Sequence, residues 1–383
     1  MSSTSLKAAI EVRPATTKAD RERFLRLPWR LYRDDPVWVP NLLMLQRDLI
    51  SEKKNPFFDH GEARLFLAWR DGEAAGRISA QIDRRHNEHH GERTGFFGFF
   101  ESIDDASVAS SLLDAAANWL RERGMDTIQG PFSFSIDQEV GMLVEGFEHP
   151  PMIDTTHALP YYGGLLEQSG YAKAMDLLAY RWDVQPMPER IREPIDVTRA
   201  ASGLTVRKIS MRRLDKEVDI LLDIYTDAWQ DNWGFVPVTQ RSARKIVDDL
   251  RLIADPNVVL IAEIDGEPAG MIVGVPNFYE AIRDFKGHID PWKALKLIWR
   301  LKVRGTETGR ILLYGVKQKF QRRRELYGLP FLLLDELYKG SQKGRYKWCE
   351  ESWILESNRR MNAMMPYMGA ALYKRYRIYE KAL

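Results

Sequence analysis

Three side chains in the first half of the chain could transfer protons. Asp137, Glu139 and His157 lie in a segment rich in glycine and proline. Such a segment predicts irregular backbone, where side chains that act as general acid or base are often held. A structural interpretation stays open, in which Asp137 caps a turn, Glu139 is exposed and His157 bonds to a backbone carbonyl.

A cationic run in the second half could bind phosphate. Lys317, Lys319 and Arg322 to Arg324 lie where a predicted strand runs into a predicted helix. Backbone N–H groups at a helix start and cationic side chains together bind phosphate groups well. The alternative is a solvated loop, since most charge runs face water.

Two groups of aromatic and polar residues could line a channel for an acyl chain or an amine. Tyr161 and Tyr162 are adjacent in the first half, and Asn232, Trp233 and Phe235 follow a predicted helix in the second. Amphipathic aromatic rings suit a substrate channel. Packing in the hydrophobic core is the alternative interpretation of both groups.

Residues 288–305, HIDPWKALKLIWRLKVRG, form a cationic and aromatic segment. On a helix, Lys293, Lys296, Arg300 and Arg304 share one narrow face, and large apolar side chains cover most of the remainder. This pattern is typical of a helix that lies in the interface of an anionic membrane. A core helix whose lysines extend to the surface is the alternative.

Composition and missing motifs exclude other classes of function. The formal net charge is only +2, so we expect no nucleic-acid partner. Cys349 is the single cysteine, which rules out an intramolecular disulfide. Residues 84–93, RRHNEHHGER, carry three histidines but are wholly polar, and we expect no metal site. The motifs of serine hydrolases, P-loop enzymes, HExxH metalloproteases and dinucleotide-binding enzymes are missing from the sequence.

The first ten residues contain no long apolar region, and no long uncharged apolar run occurs further along the sequence, so we expect neither a secretory leader nor a membrane-spanning helix. A membrane-spanning helix needs about 20 mostly apolar residues, and a leader needs a shorter apolar region near its start. We therefore expect a cytoplasmic protein, with peripheral contact at the inner membrane through residues 288–305.

An internal repeat organises the chain. LFLAWRDGEAAGRIS at 65–79 and VLIAEIDGEPAGMIV at 259–273 share Ala, Asp-Gly-Glu, Ala and Gly at an offset of 194 residues. An Asp-Gly pair between two strand-like runs predicts a tight hairpin. Each half is expected to begin with a strand, a helix and this hairpin.

Further elements follow each hairpin, in the order strand, helix and short strand. The predicted strands cover 94–101, 127–130, 310–316 and 348–355, and the predicted helices cover 108–123 and 329–339. The fold class is α/β (α+β), with a mixed central sheet flanked by helices in each of two tandem domains. A segment with three prolines separates them, so we predict domains at 1–185 and 204–383 and a linker at 186–203.

Both halves resemble the GNAT acyltransferases. Three segments show this resemblance: GVKQKFQRRREL at 315–326, WILESNRRMNAMMPYMGA at 353–370 and HALPYYGGLLEQSGY at 157–171. The resemblance implies transfer of an acyl group from acyl-CoA to an amine, without a metal. It further implies CoA contacts from Val316, Gln318, Gln321, Arg322, Arg323 and Arg324, and catalytic roles for Glu356 and Asn358. The glycines of the family's pyrophosphate loop are missing here, and Met365 stands where the family usually has tyrosine.

A narrower resemblance is carried by GPFSFSIDQEVGMLVEGFEHPP at 130–151 and WQDNWGFVP at 229–237. These segments are similar to those of the tandem branch that includes bacterial ceramide synthases. That resemblance implies a long-chain acyl-CoA donor and a lipidic amine, such as a sphingoid base, as the acceptor. The alternatives left open are acylation of a small soluble amine or a protein, and a non-catalytic module that binds acyl-CoA. CoA is expected in the second half.

Overall fold

The computed structural model describes residues 9–136 and 138–383 of the chain. Two compact units are present. Unit 1 comprises Met1–Asp176, Lys286–His288 and Arg375–Leu383, and unit 2 comprises Leu177–Phe285 and Ile289–Lys374. The predicted linker at 186–203 stays a prediction as a domain boundary. It contains a 3-10 helix, Glu189–Ile191, and an α-helix that follows directly.

Strands and helices alternate in the first half of the sequence. In chain order they are β1 Glu11–Pro14, α1 Lys18–Leu31, α2 Leu43–Leu49, β2 Gly61–Arg70, β3 Glu73–Asp83, α3 Arg84–His90, β4 Thr94–Ser102, α4 Ala106–Arg121, β5 Thr127–Gly130, β6 Met142–Glu145, α5 Tyr162–Gln168 and β7 Ala172–Asp183.

The second half repeats this succession. Its elements are α6 Arg192–Arg199, β8 Leu204–Lys208, α7 Leu214–Trp229, α8 Gln240–Ile253, β9 Val259–Ile264, β10 Glu267–Pro276, α9 Phe278–Ile282, α10 Pro291–Trp299, β11 Thr308–Val316, α11 Gln318–Gln321, α12 Leu329–Ser341, β12 Trp348–Leu355, α13 Arg359–Tyr367 and β13 Ala371–Ala382. A π-helical turn, Arg300–Arg304, continues α10.

The predicted hairpins are confirmed in both halves. Asp71 and Gly72 join β2 to β3 with φ angles of 53° and 78°. Asp265 and Gly266 join β9 to β10 with φ angles of 51° and 81°. Two successive positive φ angles define the type I′ turn, whose twist suits antiparallel strands. The short polar side chain of aspartate tolerates this conformation, and glycine has no Cβ to oppose it.

The two units have the same strand order. In unit 1 the order is β1-β2-β3-β4-β5-β13, and in unit 2 it is β8-β9-β10-β11-β12-β7. Strand β4 pairs with β5, and β11 with β12, in parallel, and the other neighbours in these two orders pair antiparallel. The predicted mixed sheet in each repeat is therefore confirmed.

Helices α4 and α12 cover the sheet of their own unit. Val108, Leu112 and Ala116 of α4 are fully buried, and so are Leu329 and Leu333 of α12. These residues recur every four positions, so they form one apolar stripe on each helix. Burying such leucine side chains stabilises the fold by about 1.5–3 kcal/mol each. The parallel strands that precede and follow each helix are thereby fixed.

Candidate active site

Strands β11 and β12 of unit 2 pair at one end and then separate. Their last recorded pair is Ile311 with Glu351. Beyond it β11 continues to Val316 and β12 continues to Leu355. Backbone groups that face such an opening are available to an extended ligand with amides of its own.

The corresponding place in unit 1 is filled by the chain itself. Strands β4 and β5 pair as far as Phe96 and Gln129. Beyond that pair, the N–H of Phe132 donates to the carbonyl of Phe97 at 2.8 Å. A Cβ added at Gly98 would lie only 1.7 Å from the carbonyl oxygen of Phe132. The glycine therefore admits the backbone of the following segment where unit 2 has separated strands.

Three carboxylates fix the turn that leaves β11. Asp223 accepts from Lys317 Nζ at 2.5 Å. Asp227 accepts from the backbone N–H of Gln318 at 2.6 Å, and Asp231 accepts from its side-chain amide at 2.7 Å. These aspartates recur every four residues along α7 and the residues after it, so one helix face holds the start of the loop.

The rest of this loop presents arginines to solvent. Arg322, Arg323 and Arg324 are all exposed. Arg323 pairs with Glu325 at 2.7 Å, whereas Arg322 and Arg324 have no recorded ion pair with any described residue. Guanidinium groups bind phosphate oxygens with two parallel hydrogen bonds. The loop thus fits the phosphates of CoA through these side chains.

The other predicted CoA contacts have mainly structural partners. Gln321 donates from Nε2 to the carbonyl of Val316 at 2.6 Å, which closes the loop on the end of β11. Helix α12 begins after Gly328 with no capping side chain, and Pro330 in its first turn lacks an N–H group. Gly328 N–H itself donates to Thr198 Oγ1 at 3.0 Å. The phosphate-binding capacity therefore rests on the arginines more than on the helix start.

The equivalent helix start in unit 1 already holds a carboxylate. Asp105 accepts from the N–H groups of Ser107 and Val108 at 2.8 and 3.3 Å. Its carboxylate also pairs with Arg70 at 2.8 Å, which holds the pKa of Asp105 below its usual value. Since a phosphate would compete with this carboxylate for the same donors, unit 1 is poorly suited to bind CoA there.

A buried polar cluster surrounds Glu101 at the end of β4. Tyr32 and Tyr162 both donate to Oε2 of this carboxylate, at 2.9 and 2.6 Å, and Arg77 lies 3.4 Å from Oε1. Burial raises the pKa of Glu101, and Arg77 and the two tyrosines oppose that effect. Tyr162 was predicted to line a substrate channel, whereas Glu101 was not singled out for a role.

His157 forms a pair with Asp35 beside this cluster. Its Nε2 lies 2.8 Å from Asp35 Oδ2, and its carbonyl accepts from Tyr32 at 3.2 Å. Tyr161 donates to the carbonyl of Ser102 at 2.9 Å. The structure thus brings His157, Tyr161 and Tyr162 close together, as side chains around one sheet end. An imidazole held by a carboxylate is an arrangement suited to proton transfer.

The remaining predicted acid–base groups of the first half are placed differently. Asp137 lies outside the described residues. Glu139 is partly buried, and its carbonyl accepts from Ser133 N–H at 2.8 Å. Its carboxylate lies 3.4 Å from the Ser133 hydroxyl, which turns the segment back on itself.

In the second half, Asn358 serves as a helix cap. Its side chain accepts from Met361 N–H at 3.2 Å at the start of α13. Glu356 is partly buried, and its carbonyl accepts from Asn362 at 3.2 Å. Met365, at the family's usual tyrosine position, is fully buried in the core of unit 2. These roles explain the local structure, and the predicted catalytic roles stay predictions.

Asn232, Trp233 and Phe235 form a turn after α7. The N–H of Asn232 donates to Trp229 and that of Phe235 donates to Asn232. Phe235 is buried against Tyr225, with ring centroids 5.6 Å apart, while Trp233 is partly exposed. Core packing accounts for Phe235, and Trp233 remains available for substrate. These three residues lie in unit 2, whereas Tyr161 and Tyr162 lie in unit 1.

Sequence reasoning missed a buried charge cluster on β12. Glu350 is fully buried and accepts from Ser352 Oγ at 2.5 Å and from the Tyr373 hydroxyl. The cations Arg310 and Lys374 lie 3.7 and 3.6 Å from its carboxylate. The signal in the sequence is the Glu-Glu pair inside an otherwise apolar strand, because a buried charge requires compensation.

Helix α10 turns its apolar side chains to solvent. Trp292 is 81% exposed and Val303, in the turn that follows, is 72% exposed. The other large exposed apolar residues of this segment are Leu295, Ile298 and Trp299. In contrast, Lys296 and Arg300 pair with Asp284, on the protein side. The alternative of a core helix is therefore wrong, because its large apolar residues are mostly outside the core.

Solved structures of other proteins share the fold of this chain. The chain aligns over 98% of its length, with a TM-score of 0.57 and 12% identity, with 98% of a tandem GNAT protein from the clavulanic acid biosynthesis pathway. It aligns over 97% of its length, with a TM-score of 0.52 and 17% identity, with 95% of a GCN5-related N-acetyltransferase from Sphaerobacter thermophilus. The predicted tandem GNAT fold is confirmed.

Relatives with closer sequences define the family. The chain is 43% identical over 381 residues to bacterial ceramide synthase of Caulobacter vibrioides (strain NA1000 / CB15N), covering 99% of each chain. It is 40% identical over 375 residues to Protein YghO of Escherichia coli (strain K12), covering 97% of this chain and 95% of that protein. The chain belongs to the bacterial ceramide synthase family. No protein-family model matches it.

Family and fold together make the chain an N-acyltransferase, which confirms the predicted class of enzyme. Membership of this family and the GNAT fold together support acyl-CoA as the co-substrate and an amine as the acceptor. Within 9–136 and 138–383, none of the helices is both long and apolar enough to span a membrane. The same residues contain no group of three or more histidine, cysteine or acidic side chains that could hold a metal ion.

Proposed function

We propose that the protein transfers a long-chain acyl group from acyl-CoA to the amino group of a sphingoid base. The observation that carries this proposal is the full-length relationship to the Caulobacter protein named bacterial ceramide synthase. The amide forms when an uncharged amine attacks the thioester and the CoA thiolate leaves. The reaction requires a proton acceptor, donors for the developing oxyanion and a site for CoA.

We place CoA in unit 2. Support comes from the separated strands β11 and β12 and from the exposed Arg322 and Arg324 on the loop that follows. In unit 1 the comparable opening is filled by Phe132 and the comparable helix start is capped by Asp105. Anionic phosphates bind better to unpaired guanidinium groups than beside a carboxylate.

We place a proton-transfer role at the His157 and Asp35 pair in unit 1 as a second candidate for the acid–base chemistry. The side chain of His157 is only 4% exposed and lies beside Tyr32, whose hydroxyl donates to Glu101 and lies 3.2 Å from the backbone carbonyl of His157. Replacing His157 by glutamine keeps a nitrogen donor but removes a side chain that can gain and lose a proton. If the pair transfers protons, this variant loses turnover at pH 7 while its unfolding temperature stays close to that of the wild type.

A protein that acylates a lipid has to reach a bilayer, and α10 supplies a surface suited to it. Two tryptophans and three aliphatic side chains are exposed along the segment 292–303. Arg283, Lys302 and Arg304 are exposed around it and complement anionic lipid headgroups. We therefore propose peripheral binding to an anionic membrane through α10, and we propose the cytoplasmic face of the inner membrane as its location.

The direct test uses the purified full chain with palmitoyl-CoA and either sphinganine or 3-ketosphinganine. N-acyl product and free CoA are measured by mass spectrometry. Equal amounts of amide and free CoA support the proposal, and the two acceptors are ranked by their rates. Release of CoA without amide would show thioester hydrolysis and contradict the proposal. Acetyl-CoA serves as the matched donor, and we expect it to give the slower rate.

A further inference from the structure

Glu351 is a buried carboxylate without compensation. The side chain lies in β12 and the residue is 2% exposed. Neither of its carboxylate oxygens has a hydrogen-bond partner within the described parts of the chain. Burying an ionisable group in this way costs several kcal/mol unless something else satisfies it. Buried carboxyl groups whose pKa is strongly perturbed are concentrated at functional sites.

Two unused donors lie on the same face of the sheet. Tyr180 of β7 and Ile311 of β11 are the register partners of Glu351, and Trp182 is directly opposite Cys349. Residues directly opposite in an antiparallel pair share a face, and so do Cys349 and Glu351, two apart on one strand. The indole N–H of Trp182 is buried and has no acceptor among the residues that the structure describes.

The second donor is Tyr314 of β11. Burial raises its pKa well above the usual range, and the charge of nearby Glu351 adds to the effect. Its hydroxyl is also buried without a partner in the described structure. One base and two donors therefore lie together, beside the point where β11 and β12 separate. Tyr180 and Cys349 lie on the same face, and burial raises the pKa of the Cys349 thiol well above its usual value.

We infer that Glu351 is the general base that deprotonates the amine acceptor in unit 2, with the hydroxyl of Tyr314 and the indole of Trp182 as donors to the thioester oxygen. This inference rests on the proposed function. The ammonium group of the acceptor gives one proton to the carboxylate, and the nitrogen lone pair forms the C–N bond. The C–S bond then breaks, and the second nitrogen proton leaves with the CoA thiolate as thiol. Glu351 finally returns its proton to water.

The acidity of Glu351 suits this role. Burial raises its pKa to about 8. A base is most effective when its pKa lies near the working pH, because it is then ionised to a useful extent and still accepts a proton strongly. The adjacent Glu350 is instead engaged in structural contacts, because it accepts from two hydroxyl donors and lies beside Arg310 and Lys374.

The test compares wild type with Glu351→Gln, which keeps the shape but removes the base. Palmitoyl-CoA and a sphingoid base are used from pH 6 to pH 10. We expect kcat to fall about 100-fold or more, the value of KM for palmitoyl-CoA to stay within about threefold, and the rise of kcat with pH to disappear. Glu336→Gln, which changes a partly buried carboxylate of α12 that pairs with Arg199 and Lys339, is the matched control and keeps wild-type kinetics.

A second readout does not depend on the identity of the acceptor. Infrared difference spectra of wild type minus Glu351→Gln report the carbonyl stretch of one protonated carboxyl group at pH 6. Binding of S-hexadecyl-CoA, a thioether that cannot react, should shift this band. The inference is overturned if this band does not shift when S-hexadecyl-CoA binds. It is also overturned if Glu351→Gln has the kcat of wild type. If wild type makes no N-acyl sphingoid base, the proposed function fails, and the infrared band still decides the role of Glu351 at the CoA site.

Discussion

Glu350 and Glu351 are adjacent on β12, both buried, and have opposite surroundings. Glu350 accepts hydrogen bonds from Ser352 and Tyr373 and lies beside Arg310 and Lys374. Glu351 has no partner for either oxygen within the described chain. Successive residues of a strand point to opposite faces, so the strand places a compensated charge on one side and an uncompensated one on the other.

This contrast predicts opposite effects of the same substitution. Glu350→Gln should destabilise unit 2 by about 3 kcal/mol, because it leaves two buried cations without their counter-charge. Glu351→Gln should leave the free energy of unfolding unchanged or raise it at pH 8, since it removes a buried charge. Chemical denaturation of both variants at pH 8 measures the difference. A loss of stability in Glu351→Gln as large as that in Glu350→Gln would refute this account of β12.

The stability of the protein should depend on pH through Glu351. Its pKa rises from 4.5 to about 8 on folding, owing to burial. Below pH 4.5 the Glu351 carboxyl is protonated in both the folded and the unfolded state, so it does not change the free energy of unfolding with pH. Between these values the unfolded chain releases a proton that the folded chain keeps, so the free energy of unfolding falls as pH rises. Above about pH 8 the carboxylate is ionised in both states, and the destabilisation caused by burying its charge has reached its full size.

The check is a series of melting temperatures from pH 5 to pH 9. Wild type should lose several degrees more than Glu351→Gln over this interval. Glu336→Gln, whose carboxyl has a pKa lowered in the folded state by Lys339 and Arg199, should keep the wild-type fall. If the melting temperatures of wild type and Glu351→Gln fell equally from pH 5 to pH 9, the Glu351 carboxyl would not have the expected raised pKa.

The loop arginines should control affinity for CoA. Replacing Arg322 and Arg324 by glutamate should raise KM for palmitoyl-CoA at least about tenfold, because each charge-assisted hydrogen bond is worth about 1.5–3 kcal/mol. The matched control replaces Arg212 and Arg213, two exposed arginines elsewhere in unit 2, by glutamate. Equal KM values for the two double variants would place the phosphates elsewhere.

Asp105 gives the complementary test in unit 1. Asp105→Ala removes the cap of α4 and should reduce the free energy of unfolding by about 1 kcal/mol. Because CoA is placed in unit 2, KM for palmitoyl-CoA should stay at the wild-type value. A clear change of KM, in either direction, would indicate that this helix start faces the co-substrate.

The exposed face of α10 should set membrane affinity without setting the chemistry. Trp292→Ser with Trp299→Ser should abolish co-sedimentation with vesicles that contain anionic lipid. Turnover of substrate dispersed in detergent should remain within about twofold of wild type. Leu252→Ser with Val197→Ser changes two other exposed apolar side chains and serves as control. Vesicle binding that survives loss of both tryptophans would exclude α10 as the contact.

The helices, strands and turns could be predicted from the sequence because short stretches of neighbouring residues specify them. The Asp-Gly turns are specified by two residues whose φ angles are positive, and the strands 127–130 and 348–355 end where predicted. The helix predicted at 108–123 is Ala106–Arg121, shifted because Asp105 caps it two residues earlier. The first residue of a helix depends on a single capping contact, and the periodic pattern of apolar residues does not indicate where that contact forms.

The candidate site was less predictable because it depends on contacts between distant residues. His157 and Asp35 are 122 residues apart, and Tyr162 and Glu101 are 61 apart. The sequence indicated His157 through its irregular segment and Tyr162 through the pair of adjacent tyrosines, but it carried no signal for their partners Asp35 and Glu101. Alternation along β12 places Glu350 and Glu351 on opposite faces, but only the fold determines which face carries Arg310 and Lys374.

The most direct test of the whole account is a competition among acceptors. The purified protein is given isotopically labelled palmitoyl-CoA with equal concentrations of sphinganine, 3-ketosphinganine, spermidine and lysine, in the presence of anionic vesicles, and all labelled amides are measured by mass spectrometry. The account predicts that nearly all the label enters an N-acyl sphingoid base. Label in spermidine or lysine amides, or only in free palmitate, would contradict it.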